Sequence, residues 1–205
     1  MILILGDKGS MGVRYRAILS HLGVPHDGLD VDAPPSIRRD LIETAGRYII
    51  ATPTETHESI LEDLITRGKP ILCEKPILTD TDKLRDVLKR SEAFRTPIRV
   101  MMQYERLYNP KSEGPSYYNY FRHGRDGLVW DCFQIIALSN GDVALGEDSP
   151  VWDCVLNGEQ LSIDDMDNAY VEYVQSWLEH PGQSAETIWK WHKKVSDFSK
   201  EFLHG

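Results

Sequence analysis

Two charged residues and a proline directly follow a short apolar run in the stretch ILCEKPI. Residues 71–73 are typical of a buried strand, and Glu74, Lys75 and Pro76 come straight after it. A lysine held at such a position can donate a hydrogen bond to a substrate oxygen or take a proton from it. We therefore expect Lys75 to be a catalytic residue, with Glu74 beside it and Pro76 ending the strand.

A glycine-rich turn follows the first apolar run of the chain, ILIL at residues 2–5. The turn has the spacing G-x-x-G-x-x-G and precedes an amphipathic helix. It is one residue longer than the usual dinucleotide fingerprint, in which glycines permit a tight turn and a close approach of the backbone to a pyrophosphate at the helix N-terminus. We expect a dinucleotide to bind here. The expected contact residues are Gly6, Gly9, Ser10, Met11 and Gly12.

An acidic residue about 20 positions further along binds the adenosine ribose in such proteins. Asp30 and Asp32 both fit that spacing, and the choice between them stays open. No arginine stands beside them to favour a 2′-phosphate, so the expected cofactor is NAD, with NADP less favoured.

In a third segment, IIATPTETHE at residues 49–58, polar residues again follow an apolar run. In a doubly wound sheet the carboxyl ends of the strands border the ligand crevice. We therefore expect this segment to line the same crevice as the glycine loop and Lys75. The expected lining residues are Ala51, Thr52, Pro53 and Thr54, and His57 is expected at the surface or the cofactor edge rather than as a base.

Strands and helices alternate over the first hundred residues or so, which indicates a parallel sheet because each parallel pair needs a crossover. Further strands are predicted near residues 28–32, 48–52, 70–74 and 98–105, and helices near 11–22, 36–45, 55–67 and from 79 onward.

The pattern changes after Asn109-Pro110. A strand is predicted near 117–121, and a helix over 128–139 is preferred to a hairpin at Asn140-Gly141. Asn157-Gly158 is typical of a two-residue hairpin between strands near 151–156 and 160–163. Two helices with aromatic stripes end the sequence.

Composition excludes several classes of partner. The net charge of −9 disfavours nucleic acid, and no apolar run is long enough to span a membrane. The three cysteines are far apart with no CxxC pair, which argues against disulfides and against a metal site and fits a reducing compartment. The apolar start is too short for a signal peptide, so a cytoplasmic location is expected.

Two segments carry a resemblance to a known family. GSMGVRYRAIL and IIATPTETHESILEDLITRGKPILCEKPI resemble the cofactor loop and the most diagnostic stretch of the Gfo/Idh/MocA (glucose–fructose oxidoreductase, inositol dehydrogenase, rhizopine catabolism) oxidoreductases. The resemblance covers residues 1–110. It implies that Glu74 and Lys75 are the family's EKP pair, that Lys75 touches the nicotinamide ribose and the substrate, and that Gln103 lies near the nicotinamide carboxamide.

The resemblance also implies the architecture. We expect a Rossmann doubly wound parallel sheet over residues 1–108 and a small α+β domain with a largely antiparallel sheet over 109–205. The second domain is shorter than is usual in the family, and its last helices are expected to pack partly back on the first. It would carry substrate contacts and the interface of a homodimer or homotetramer.

The chain departs from the family at a second motif, an aspartate followed by a histidine that acts as acid/base. Its counterpart, GLVWDCFQIIAL, keeps Asp131 but has no histidine, and Gln134 cannot exchange a proton. The candidates for substrate contact or proton transfer besides Lys75 are Tyr104, Arg106, His123, Asp131 and Gln134.

Three functions therefore compete. The leading prediction is an NAD(P)-dependent oxidoreductase acting on a sugar, polyol or other small hydroxy or oxo compound. A non-catalytic dinucleotide-binding sensor or accessory subunit would explain the missing histidine and the short second domain. A reductase of a conjugated or imine substrate would not need that histidine.

Overall fold

The computed structural model describes residues 1–119, 129, 132–146 and 152–204. A five-stranded parallel sheet forms in strand order β2-β1-β3-β4-β5. Its strands are β1 (Ile2–Leu5), β2 (His26–Leu29), β3 (Arg47–Ile50), β4 (Ile71–Cys73) and β5 (Ile98–Val100). Helices connect successive strands: α1 (Ser10–His21), α2 (Pro35–Thr44), α3 (His57–Ile65) after a 3-10 turn at Thr54–Thr56, and α4 (Thr81–Ala93).

The central strands consist mostly of large apolar residues, as is typical of parallel sheets that are covered on both faces. All residues of β1 and β4 are buried, as are Tyr48, Ile49 and Ile50 of β3. The helices begin and end at local signals. Asp80 caps α4 by accepting hydrogen bonds from the backbone N–H groups of Asp82 and Lys83, at 2.9 and 3.1 Å. The predicted doubly wound sheet is confirmed.

A second sheet has strand order β7-β6-β8-β9. Its strands are β6 (Ser116–Asn119), β7 (Val143–Leu145), β8 (Asp153–Leu156) and β9 (Glu159–Gln160). Two of its three pairings are antiparallel, and β6 with β7 is parallel. The Asn157-Gly158 hairpin forms with positive φ at both residues, 51° and 82°. Helix α5 (Phe133–Leu138) forms where a helix was preferred to a hairpin.

Two longer helices end the chain, α6 (Met166–Glu179) and α7 (Ala185–His204). The described residues group into two compact units, Met1–Met101 with Val174–Ile188 and Met102–Tyr173 with Trp189–Gly205. In the first unit, Arg47 donates to the carbonyl of Leu178 at 2.8 Å and Arg99 donates to that of His180 at 3.2 Å. The end of α6 therefore packs with the parallel sheet. The predicted domain boundary after residue 108 stays a prediction.

Several predicted strands have different bounds in the structure, among them the strand predicted over 160–163, which lies at Glu159–Gln160. The strand predicted over 98–105 ends at Val100, and Gln103–Arg106 is a 3-10 turn. Burial of Met101 and Met102 continues the apolar run beyond the strand, so hydrophobicity alone overstated its length. The strand predicted over 28–32 lies at His26–Leu29, because Gly28 and the polar residues around it weaken the apolar signal. Two expected residues, His123 and Asp131, lie outside the described residues.

None of the described helices is long and apolar enough to cross a bilayer.

Candidate functional site

The exits of three adjacent strands meet at one edge of the parallel sheet. Gly6 follows β1, Ala51 follows β3 and Glu74 follows β4. Hydrogen bonds continue the ladder one residue past the strands: the N–H of Ala51 donates to Leu5 at 2.9 Å, and that of Glu74 donates to Ile50 at 3.0 Å. Because parallel neighbours end on the same side, the three segments expected to bind the cofactor lie side by side.

Gly6 brings the exits of β1 and β3 into direct contact. Its φ is +82°, and a Cβ there would lie 2.9 Å from the Ala51 carbonyl oxygen and 2.9 Å from Thr52 Cγ2. Such a distance excludes any side chain, and the positive φ favours glycine independently. Pro53 and Thr54 continue from this contact into the 3-10 turn that precedes α3.

Gly12 lets α1 approach the loop that precedes it. A Cβ on Gly12 would lie 2.1 Å from the Gly6 carbonyl oxygen and 2.5 Å from the Asp7 Cα. Gly9 stands before the first residue of α1 and supplies no side-chain cap, and the first intrahelical bond runs from Val13 N–H to Gly9 at 2.9 Å. The N–H groups of the first turn therefore have no intrahelical partner. A loop with glycines at Gly6 and Gly9, before a helix start with no side-chain cap, fits a dinucleotide pyrophosphate.

Lys8 joins the glycine loop to the end of β2. Its backbone N–H donates to Asp30 Oδ2 at 3.2 Å, and its ammonium pairs with the Asp32 carboxylate. The hydrogen bond from Lys8 is the main cause that lowers the pKa of Asp32, and the same bond raises the pKa of Lys8. Sequence reasoning missed Lys8, since a lysine inside a glycine loop has no distinguishing pattern.

Asp7 is a second residue of the loop that sequence reasoning missed. It is buried, and its carboxylate accepts a hydrogen bond from Arg16 of α1 at 2.9 Å. A Cβ on Gly28 would lie 2.1 Å from Asp7 Oδ2, so the absence of a side chain at Gly28 makes room for this carboxylate. Glycine inside a strand often marks a close approach of this kind, and Gly28 was the available signal.

His57 is fully buried and ties two strand exits together. Its Nε2 lies 2.9 Å from the Thr52 carbonyl oxygen, and its Nδ1 lies 3.0 Å from that of Ile77 and 3.1 Å from that of Pro76. The expectation of a surface position is therefore wrong, and the alternative position at the cofactor edge stays a prediction. Both ring nitrogens face carbonyl oxygens of the chain, so His57 holds the segment after Lys75 against the segment after β3.

Glu74 is anchored on both carboxylate oxygens. The hydroxyl of Tyr15, on α1, donates to Glu74 Oε1 at 2.6 Å, and the backbone N–H of Lys75 donates to Oε2 at 3.2 Å. Tyr15 is fully buried, Glu74 is buried and Lys75 is half-buried. Glu74 thus links the helix after the glycine loop to the residue that we expect to be catalytic.

In the second unit, Gln134 binds the segment around Gln103. Its Nε2 donates to Gln103 Oε1 at 2.7 Å, and its Oε1 accepts from the backbone N–H of Tyr104 at 3.0 Å. Both glutamines are buried. The amide of Gln134, which has both a donor and an acceptor, fixes α5 to the 3-10 turn at Gln103–Arg106.

Tyr104 and Arg106 differ sharply in environment. Tyr104 is buried, its ring makes an edge contact with Trp152 at 6.5 Å between centroids, and burial raises its pKa well above the usual value. Its phenol therefore stays protonated at neutral pH, and its role in proton transfer stays a prediction. Arg106 is exposed.

Comparison with known proteins points to one family. Residues 38–101 match the family model for the Gfo/Idh/MocA oxidoreductases, described as an oxidoreductase family with an NAD-binding Rossmann fold. Inositol 2-dehydrogenase of Rhizobium meliloti (strain 1021) is 36% identical over 74 residues, covering 35% of this chain and 22% of the relative. The rhizopine catabolism protein MocA of Rhizobium meliloti is 36% identical over 64 residues, covering 30% and 20%.

Solved structures share the fold over nearly the whole chain. The WlbA (WbpB) dehydrogenase of Thermus thermophilus, in complex with NAD and UDP-GlcNAcA, superposes with a TM-score of 0.76 at 11% identity, covering 97% of this chain and 94% of that one. A Gfo/Idh/MocA family oxidoreductase from Vibrio cholerae gives a TM-score of 0.75 at 11% identity, covering 99% and 98%. At these identities the likeness shows the fold alone.

The sequence matches cover only about a fifth of the length of the curated relatives, 22% and 20% in the two cases above. The residues matched by the family model include β3 and β4 with their exits and end one position after β5. Residues 38–101 are thus similar to the Gfo/Idh/MocA family of oxidoreductases with an NAD-binding Rossmann fold.

Proposed function

We propose that the chain is an NAD-dependent oxidoreductase that interconverts a small hydroxy compound, such as a sugar or polyol, and the corresponding oxo compound. The observation that supports this most strongly is the meeting of three strand exits, with Gly6 in contact with Ala51 and Thr52, and with Glu74 and Lys75 on the adjacent strand. This arrangement brings together, at the same edge of the sheet, a glycine loop suited to bind a dinucleotide and a lysine suited to exchange a proton.

Different residues at this edge of the sheet are suited to bind different parts of the dinucleotide. The N–H groups of Ser10, Met11 and Gly12, at the uncapped start of α1, are suited to hold a pyrophosphate. Asp30 is suited to accept hydrogen bonds from the ribose hydroxyls. When bound, NAD accepts a hydride from an alcohol carbon or, as NADH, supplies one to a carbonyl carbon.

Lys75 would handle the proton that accompanies the hydride. In the oxidative direction the C–H electron pair leaves with the hydride, the substrate O–H proton passes to the Lys75 amine, and a carbonyl forms. In the reductive direction the ammonium donates that proton to the carbonyl oxygen. The Glu74 carboxylate, held by Tyr15, fixes the backbone from which Lys75 extends.

The relatives suggest the substrate class. Proteins named inositol 2-dehydrogenase are 36% and 33% identical to this chain, over 74 and 63 residues. We therefore propose a cyclic polyol as the first substrate class to test. The three cysteines are buried and outside any disulfide, which suits the reducing cytoplasm that we propose as the location.

Two measurements on the purified full chain test this function. Titration of NADH fluorescence is expected to show saturable binding, and incubation with NAD and myo-inositol, or with a panel of related polyols, is expected to produce NADH. If NADH does not bind, the cofactor site is wrong. If NADH binds but no polyol or sugar is turned over, the oxidoreductase proposal loses to the alternative below.

A non-catalytic dinucleotide-binding protein is the second candidate, and Gln134 favours it. The motif that this chain resembles has an acid/base histidine after its aspartate, whereas the nearest polar residue after Asp131 here is Gln134, which is buried and binds the protein itself through both ends of its amide. A sensor or accessory subunit would bind NADH without turnover, and Lys75→Met would leave that binding unchanged.

A further inference from the structure

Lys8 holds both aspartates that could meet the adenosine ribose. Its backbone N–H binds Asp30, and its ammonium binds Asp32, residues that are 22 and 24 positions away in the chain. Asp30 Oδ1 also accepts the backbone N–H of Val31 at 2.7 Å, so two backbone donors fix the Asp30 carboxylate. The two aspartates therefore differ: Asp30 is oriented by the backbone, whereas Asp32 is bound to a cation.

The ion pair alters the charge that a cofactor would encounter. Without Lys8, two carboxylates at the end of β2 would repel a 2′-phosphate. With Lys8, the ion pair neutralises one of the two carboxylates.

The pair is also free to exchange partners. The side chains of Lys8 and Asp32 are 62% and 67% exposed. Exposed ion pairs of this kind are weak, so a more strongly charged anion can displace the carboxylate from the ammonium. A phosphate on the ribose, which bears more than one negative charge at neutral pH, is such an anion.

We infer that Lys8 is a selectivity residue: it screens Asp32 and so limits the preference of the chain for NAD over NADP. The inference rests on the proposed binding of a dinucleotide at the glycine loop. Asp30 then serves the unphosphorylated ribose, and the Lys8 ammonium serves a 2′-phosphate when one is present.

The test measures Kd for NADH and for NADPH with the full chain and two variants. Lys8→Met is expected to raise Kd for NADPH by about fivefold, because a unit charge is lost near an exposed phosphate, and to change Kd for NADH by less than about twofold. Asp32→Asn frees the ammonium and is expected to lower Kd for NADPH by about fivefold. Both effects should shrink as salt is added.

Lys89→Met is the matched control, because Lys89 pairs with Asp86 on α4 at 3.5 Å and is similarly exposed, at 68%. It removes the same charge away from the loop and should leave both constants unchanged. The inference is overturned if the ratio of Kd for NADPH to Kd for NADH is the same in the wild type and in Lys8→Met. It is also overturned if Asp32→Asn binds NADPH no more tightly than the wild type does. Failure of the wild type to bind either nucleotide overturns both this inference and the proposed function.

Discussion

At the scale of single residues, Lys75 carries the largest expected effect on turnover. It is half-buried directly after β4, and its backbone N–H is bound to Glu74. Lys75→Met keeps the length of the side chain and removes its ability to exchange a proton. We expect kcat with a polyol substrate to fall by at least about 10²-fold, the usual loss with an acid/base group, while Kd for NADH rises only modestly.

Gln134→Ala is the comparison for Lys75→Met. Gln134 is bound through its amide to Gln103 and Tyr104, so its loss should lower stability more than it lowers kcat. Normal turnover by Lys75→Met would mean that the lysine is only part of a turn.

Tyr15 is expected to stabilise the fold through its buried bond to Glu74, 2.6 Å long. Tyr15→Phe removes that hydroxyl and leaves a buried carboxylate oxygen without it. Urea denaturation should show a loss of about 1.5–3 kcal/mol in the free energy of unfolding, since the acceptor is charged. Tyr48→Phe is a matched control, because that buried hydroxyl donates to the neutral Ile42 carbonyl at 2.7 Å. Its loss should cost about 0.5–1.5 kcal/mol, and equal losses would contradict a charged acceptor.

The thiols offer a test of burial that needs no substitution. All three cysteines are buried and outside any disulfide, and burial raises the pKa of Cys73 and of Cys154. A thiol reacts with disulfide reagents as its thiolate, so both effects slow the reaction. We expect Ellman's reagent to modify no thiol rapidly in the native chain and all three in urea. Fast modification of a native thiol would show that the protein opens around it.

At the scale of elements, the contact between α1 and the glycine loop depends on Gly12. A Cβ at Gly12 would lie 2.1 Å from the Gly6 carbonyl oxygen, a backbone atom that no rotamer change can move. Gly12→Ala is expected to cost about 1–3 kcal/mol in unfolding free energy and to weaken NADH binding, because α1 must shift away from the loop.

The matched control for Gly12→Ala is Gly46→Ala. A Cβ at Gly46 would lie 3.6 Å from the Met1 carbonyl oxygen, which is an ordinary contact. This variant should bind NADH as the wild type does. Equal binding by both variants would place the nucleotide away from the loop.

The sequence predicts these elements well where a single physical rule decides them. The apolar runs of β1, β3 and β4 predict buried parallel strands, and Asn157-Gly158 predicts the hairpin between β8 and β9. The same rule fails at β5, because Met101 and Met102 are buried in the continuation of a strand that ends at Val100. Hydrophobicity records burial and cannot distinguish a buried strand from a buried turn.

The candidate site is predictable only as far as it follows the strand exits. Gly6, Thr52 and Lys75 could be placed from the order of parallel strands. The burial of His57 and the pairing of Lys8 with Asp32 could not, because both depend on contacts between segments that are distant in sequence. Polar loops have no periodic sequence pattern, so the sequence does not indicate which of their residues contact each other.

At the scale of the whole molecule, the exposed aromatic side chains near the end of the chain bear on whether it assembles with further copies. Only some of the aromatic side chains on α6 and α7 are buried within the chain. Tyr173 and Trp177, both on α6, are fully buried. By contrast, the rings of Phe198 and Phe202 stack 5.9 Å apart on α7 and stay half-exposed. A paired aromatic surface of this kind favours burial against another protein surface.

We therefore expect the chain to form a homodimer or homotetramer, with the half-exposed face of α7 in the interface. Static light scattering at micromolar concentration should give a mass that is a multiple of the 23.4 kDa chain mass. Phe198→Glu places a charge in the stacked pair and should shift the mass to that of one chain without loss of helical content. Lys200→Glu, on the same helix at an exposed position that pairs with Asp197, is the control and should keep the wild-type mass. A wild-type mass of 23.4 kDa would show that α7 leaves its aromatic pair in solvent and that the chain acts alone.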